Sequence, residues 1–189
     1  RPMTEPSTDK LRDPILLRDG RTLAVRPIGP GDAERLAGLF ARLDDASRHR
    51  RFLGPKPRLT TAELAYLADV DDRRHAAIAA IDPGGAIVAE GRYATWKGCE
   101  DVADLALSVA DDLHGHGIGG ELGARMVRHA RANGFAVLTA STLWENVPAR
   151  ALLRRLGFRA VGSDGEVLEL ELELAAGRRP CPAAAPRAA

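Results

Sequence analysis

The chain has 189 residues, 45% of them hydrophobic and 28% charged, with a formal net charge of +1. That length favours one domain with a true apolar core, and the near-cancellation of charge argues against nucleic acid as the main partner. No apolar run reaches the length of a membrane span and no signal pattern opens the chain, so no membrane association and a cytoplasmic setting are expected.

Residues 1–13 read as a loose polar segment, with Met3 as the expected native start. Ile15-Leu16-Leu17 and Thr22 to Arg26 flank Asp19-Gly20, a pair suited to a tight turn, and predict a hairpin. After Pro30-Gly31, Asp32 is placed to cap a helix that buries Leu36, Leu39, Phe40 and Leu43. A second helical segment includes Ser47 to Phe52, and Thr60-Thr61-Ala62-Glu63 offers a capping box for a third. The period then changes. His75 to Ile81 reads as a buried strand, Asp82 to Gly85 breaks it, and Ala86 to Trp96 returns. Lys97 to Asp101 is a polar break before a strand from Asp104 to Val109. A helix from about Gly117 is stopped by Asn133-Gly134, and Phe135 to Leu143 is strand-like. Asn146 caps the next helix, with Pro148 in its first turn, Leu152, Leu153 and Leu156 as its buried side and Gly157 at its end. Arg159 to Val161 opens a strand, and Glu166 to Leu174 forms another with leucines to the core and glutamates to water. Cys99 and Cys181 have no CxxC spacing, so neither a disulfide framework nor a zinc site is expected, and a reducing compartment is the default. Residues 176–189 carry too little apolar bulk to pack and read as a flexible tail. The sum is one mixed α/β domain over residues 14–175.

Asp111 to Gly120 (DDLHGHGIGG) admits three readings. The spacing Gly115-x-Gly117-x-x-Gly120 spells a dinucleotide fingerprint, with Glu145 as an imitation of the ribose-binding acid. That fingerprint belongs directly at the end of a first strand, and here too little chain follows it. His114 and His116 with Asp111 or Asp112 suggest a metal, but His75 and His129 lie on other elements and no third ligand stands at zinc spacing, so no metal is expected. The third reading is a phosphate cradle: four glycines within six residues expose backbone, and the following helix directs free N–H groups and its positive dipole end at an anion. A tight connection alone would need one glycine.

His114-Gly115-His116-Gly117-Ile118-Gly119 resembles the Gln/Arg-x-x-Gly-x-Gly/Ala motif of the GNAT superfamily of acyl-CoA-dependent N-acyltransferases, with His in the first place. Asn146-x-x-Ala149-x-x-Leu152-x-x-x-Leu156-Gly157-Phe158 is similar to that family's asparagine-capped helix ending in LGF. The stretches VRPIGPGD, SRHRRFLGPKPRLT and AELAYLADVDDRRH resemble the bacterial protein-lysine acetyltransferase branch. A regulatory or ligase-like partner domain often accompanies that branch, and none is expected within these residues. The resemblance implies a GNAT fold, a mixed and mostly antiparallel sheet with two central splayed parallel strands and flanking helices. It implies direct transfer from acetyl-CoA to an amine, either a protein lysine or a small molecule, in a ternary complex. Backbone N–H groups of His114, Gly115, His116, Gly117, Ile118, Gly119 and Gly120 would hold the pyrophosphate. Leu107, Ser108 and Val109 would offer edge backbone to the pantetheine, and Asn146 and Ala149 would face it from the next helix.

The resemblance also implies a general base, since an ammonium cannot attack until it loses a proton. In the lysine-acetylating branch a glutamate stands where this chain has Asp104, the first candidate; Glu90 on the preceding strand is the second. Either acid also reads as an ordinary strand residue or ion-pair partner. The tyrosine that many members use as general acid is Leu153 here, which cannot protonate a leaving thiolate. That gap keeps a second class open, a non-catalytic acyl-CoA-binding sensor. Arg48, His49, Arg50 and Arg51 read as a solvated helix face balanced by Asp44, Asp45, Asp71 and Asp72, with the CoA 3′-phosphate or an acidic protein surface as the sharper alternative. Trp144 reads as packing or as a cleft wall.

Overall fold

The computed structural model describes residues 11–96 and 98–175. The hairpin forms as β1 (Ile15–Leu16) and β2 (Thr22–Pro27), with Gly20 in the left-handed conformation of its turn. Three helices follow: α1 (Ala33–Ala41), α2 (Asp45–Phe52) and α3 (Thr61–Ala68). Then come β3 (His75–Ile81), β4 (Ile87–Trp96), β5 (Cys99–Val109), α4 (Ile118–Ala132), β6 (Val137–Leu143), α5 (Val147–Arg155), β7 (Arg159–Asp164) and β8 (Val167–Glu173). The strands make one eight-stranded sheet in the order β1-β2-β3-β4-β5-β6-β8-β7. All neighbours are antiparallel except β5 and β6.

Each face of the sheet has its own cover. Ile118, Leu122, Met126 and Ala130 recur every fourth residue on α4 and pack on Tyr93, Leu105 and Leu138. Complete burial of side chains such as Leu122 and Met126 stabilises the fold by roughly 1.5–3 kcal/mol each. On the opposite face Leu36 and Leu39 of α1 and Leu67 of α3 pack over Ala77, Ala79 and Ile87. The alanine-rich β3 has five consecutive buried residues, so small side chains let helices approach from both sides. In β8, Leu168 and Leu170 are buried and Glu169 is exposed, as half-burial requires.

Several local expectations change. Asp32 precedes α1 but its carboxylate does not cap that helix. It accepts 2.7 Å bonds from Nη1 and Nη2 of Arg26, a 3.1 Å bond from Arg35 and a 3.0 Å bond from the Gly29 amide. The bidentate partner on β2 is the stronger claim on a buried carboxylate. The polar break after Trp96 is shorter than expected, because Cys99 to Asp101 already belong to β5 and Gly98 makes the turn at φ 86°. Of the three α5 leucines only Leu153 is fully buried; Leu152 and Leu156 press on α4 glycines instead. Leu11 is buried, and Arg125 of α4 donates to the carbonyls of Leu11 and Asp13. No free cysteine is found among the described residues, so the thiol argument for a reducing compartment lapses; Cys181, Met3 and the tail lie outside them.

Asp32→Ala leaves Arg26 without its partner and is expected to cost about 2–4 kcal/mol in urea unfolding at neutral pH. The Arg26 bond holds the Asp32 carboxyl well below the usual range, so this contribution persists at neutral pH and is lost only as the pH falls below ordinary aspartate values.

Candidate active site in the splayed sheet

β5 and β6 pair at three rungs, Val102 with Val137, Ala103 with Leu138 and Asp104 with Thr139. β5 runs on to Val109 and β6 to Leu143, so beyond Asp104 the two strands part. The opening is a cleft of about 700 Å³, walled by β5, β6, the glycine loop, α5 and α2. Leu107, Ser108 and Val109 line it from β5; His114, Gly115, Gly117, Ile118, Gly119 and Gly120 from the loop and α4; and Asn146 and Ala149 from α5. Asp104 lies at the fork. His116 and Glu90 are not part of this wall.

The glycine loop is built for backbone exposure. Gly115 and Gly117 adopt φ 81° and 82°, the left-handed region where a side chain would be strained. They turn the chain so that α4 points its first N–H groups, which have no intrahelical partner, toward the cleft. Gly119 has a different reason. A Cβ there would stand 3.2 Å from Leu152, and one on Gly123 would stand 2.6 Å from Leu156. These glycines let α5 lie against α4. The His114 amide is donated to the Asp111 carbonyl at 3.2 Å, so the free run of amides starts at Gly115 rather than at His114. The His114 ring folds back 3.0 Å from the Val109 carbonyl and occupies that edge group of β5. Asn146 caps α5, accepting from the Ala149 amide at 3.3 Å, while also lining the cleft.

Beside the cleft runs a buried charge chain. Alternate residues of β4 and β5 put Glu90, Arg92, Ser108 and Asp104 on the face covered by α1, α2 and α3. Arg92 donates through Nε to Glu90 at 2.9 Å, and through Nη1 to the Leu67 carbonyl and to His75 Nε2 at 3.0 Å. Arg51 of α2 donates to Ser108 Oγ at 3.0 Å and stands 3.8 Å from Glu90. Burial alone would raise the Glu90 carboxyl, but Arg92 and Arg51 outweigh it and hold it below its ordinary value. Glu90 is therefore a charged, doubly paired group behind the wall. Arg51 departs from the expected solvated face. Its side chain is only 9% exposed, and burial lowers its pKa from the ordinary value. Arg48 does stay near the surface, against Asp45 and the Phe40 ring. Arg18 and Arg155 also line the cleft; they come from the hairpin and the last turn of α5, too far apart in the chain for any local pattern to join them.

Asp104 differs from Glu90. Its Oδ1 accepts from Thr139 Oγ1 at 2.9 Å. Burial pushes its carboxyl up to about 6, against the Thr139 bond and the Arg51 charge, which pull it down. A carboxylate in that range is suited to take a proton near neutrality. Leu153 is buried on the cleft wall, and Tyr93 is committed elsewhere, with its hydroxyl 2.9 Å from both His129 Nδ1 and Asn133 Nδ2. Trp144 is 45% exposed under the Arg150 guanidinium and is not in the cleft wall. No group of three His, Cys, Asp or Glu able to hold a metal is present among the described residues. No helix among them is long and apolar enough to cross a membrane.

A parallel pair that splays beside a glycine-rich helix start, with a second helix capped by asparagine across the opening, defines an acyltransferase of the GNAT class. Residues 22–159 match the family of the acetyltransferase (GNAT) domain, and the chain belongs to it. It is 29% identical over 162 residues to acetyltransferase Pat of Mycolicibacterium smegmatis, covering 85% of this chain and 48% of that protein. It thus spans about half the length of that relative. It is 32% identical over 144 residues to acetyltransferase PA5475 of Pseudomonas aeruginosa, covering 75% of this chain and 77% of the other. Its fold superposes on the GNAT domain of S. lividans PAT with a TM-score of 0.78 at 29% identity, over 85% of this chain and 96% of that one.

The raised carboxyl has a consequence for stability. Because its folded pKa lies above its unfolded value, Asp104 stabilises the fold fully at low pH, and that contribution is lost as the pH rises through about 6. Asp104→Asn is expected to unfold at higher urea than the parent at pH 8, by about 1–3 kcal/mol, with the difference vanishing near pH 4.

Proposed function

We propose that this chain moves an acetyl group from acetyl-CoA directly to an amine, taken to be a protein lysine side chain, with Asp104 as the general base. The observation that carries the base assignment is the position of Asp104 at the fork of β5 and β6, half-buried, facing the cleft and with its carboxyl pushed up to about 6. The cleft fits the cosubstrate on three counts: its volume of about 700 Å³, the unpaired amides at the α4 start, and the stretch of β5 edge that β6 leaves between Asp104 and the His114-bound Val109 carbonyl. Acetyl-CoA supplies an activated acyl group as a thioester. The amides from Gly115 to Gly120 hold its pyrophosphate, the β5 edge at Leu107 to Val109 aligns the pantetheine, and Asn146 and Ala149 close the other side. Asp104 takes one proton from the acceptor ammonium; the freed nitrogen lone pair forms the C–N bond as the thioester C–S bond breaks, and the departing CoA thiolate takes up the second proton that the nitrogen sheds. Leu153 keeps water from that part of the wall and donates no proton. Glu90 serves through its pairing with Arg51 and Arg92 rather than as a base, since its charge is already committed. The lysine assignment is supported by the N-terminal resemblance and by the likeness to the Pat proteins, and it applies to the chain as a domain.

The acceptor side is tested by incubating purified protein and acetyl-CoA with a panel of proteins and small amines, read by mass spectrometry. Acetylated protein lysines are the expected result; products only from small amines would replace the acceptor class, and tight acetyl-CoA binding with no product from any acceptor would leave a sensor. The rate is expected to fall about tenfold per pH unit below about 6, as Asp104 becomes protonated. Asp104→Asn is expected to keep acetyl-CoA binding and lose at least about a hundredfold in kcat, the usual scale of a lost base.

A further inference from the structure

Thr139 is 8% exposed, in the middle of β6, on the last rung that β5 and β6 share. Its hydroxyl has two acceptors in reach, Asp104 Oδ1 at 2.9 Å and the Ala103 carbonyl at 3.4 Å. One O–H proton serves one acceptor at a time, and an ionised carboxylate is much the stronger claimant. With Oδ1 engaged from β6, the carboxylate has one oxygen left for other work. We propose that Thr139 is a positioning residue for the base: its hydroxyl fixes Asp104 Oδ1 and so leaves Oδ2 turned into the cleft to take the acceptor's proton.

The proposal rests on the reading of Asp104 as base. In that step one N–H bond of the acceptor ammonium breaks, its electron pair stays on nitrogen, and the proton forms an O–H bond with Oδ2. The Thr139 bond is charge-assisted before the step and ordinary after it, when the nearby Ala103 carbonyl is a competitive second acceptor. The hydroxyl is therefore satisfied in both protonation states. No rearrangement of the buried strand is needed. This geometry depends on the fork: one rung further along, the strands are apart and no β6 side chain would meet β5 in register. Arg51 of α2 is the charge that acts on Asp104; Arg18, Arg50 and Arg155 share the cleft wall, Glu90, Arg92 and His75 lie on the same sheet face from β4 and β3, and Glu171 of β8 pairs with Thr139. Arg51 pulls the Asp104 carboxyl down as Thr139 does, so loss of either should raise it. Glu90 is neutralised by its own arginines, and His75 is lowered by burial and by Arg92.

The test compares Thr139→Val, which keeps the shape and removes the hydroxyl, with Thr139→Ser, which keeps the hydroxyl. The pH dependence of kcat/KM for the acceptor is read alongside KM for acetyl-CoA. Thr139→Val should move the acid limb upward by roughly one pH unit and lower kcat severalfold at pH 7, with KM for acetyl-CoA unchanged. Thr139→Ser should return the limb to the parent position. An unmoved limb in the valine variant, or a serine variant that behaves like valine, overturns the proposal. Should valine prevent folding, Thr139→Ala with carboxyl-carbon NMR titration of Asp104 carries the same prediction and the same refutation. Asp104→Asn is run in parallel to separate the two readings. If it retains the acid limb and full activity, the base assignment fails and the positioning role with it. If it loses activity while Thr139→Val leaves the limb in place, the positioning role alone fails.

Discussion

The parallel ladder between β5 and β6 stops at Asp104 and Thr139, and the site exists because it stops there. A buried ladder does not end without cause, since each unmet backbone group away from water costs about 1–3 kcal/mol. The helices frame the opening. α4 lies over the sheet on one side of the opening, and α5 leans on it through Leu152 against Gly119 and Leu156 against Gly123. Without side chains at those glycines the two helices fit close together above strands that diverge beneath them. The backbone edge left open on β5 and the free amides at the α4 start then face the same cleft. A ligand rich in acceptors and amides can satisfy both. The fold leaves unmet at one place what the cosubstrate is proposed to supply.

A second constraint shapes the acceptor end. Two arginines, two carboxylates, a histidine and a serine are gathered on one sheet face, covered by α1, α2 and α3. Buried charge of this density is unfavourable unless every group is paired. Glu90 is held between two guanidinium groups and stays ionised, whereas Asp104 has one hydroxyl and one more distant cation and is pushed toward neutrality. Two acids in one neighbourhood are thus driven in opposite directions by their partners, a recurring arrangement where one must hold charge and the other must exchange a proton.

Much of this was legible along the chain because it is local. The capping box at Thr60, the Asn146 cap, the turns at Asp19-Gly20 and Asn133-Gly134, and the alternation of β8 all depend on residues within a few positions of one another. The glycine density between Gly115 and Gly120 pointed to an exposed backbone, and Gly115 and Gly117 do adopt the left-handed region. What stayed hidden is what only the third dimension brings together. Arg51 belongs to a charged run that reads as solvated, yet its side chain ends beside Ser108, 57 residues further on. Thr139 meets Asp104 across 35 residues, and nothing in its strand marks it. Asp32 stands where a cap belongs, but a strand arginine six residues earlier claims its carboxylate. Glu90 and Asp104 look alike as strand acids; only their neighbours separate them.

The open β5 edge and the α4 start are proposed to receive the cosubstrate together, through backbone groups. Amide hydrogen exchange with and without acetyl-CoA reads those groups one by one. Acetyl-CoA is expected to slow exchange most at Gly115 to Gly120 and along Leu105 to Val109, with little change in β2 or β8. Equal protection across the sheet, or protection centred away from the cleft, would contradict it.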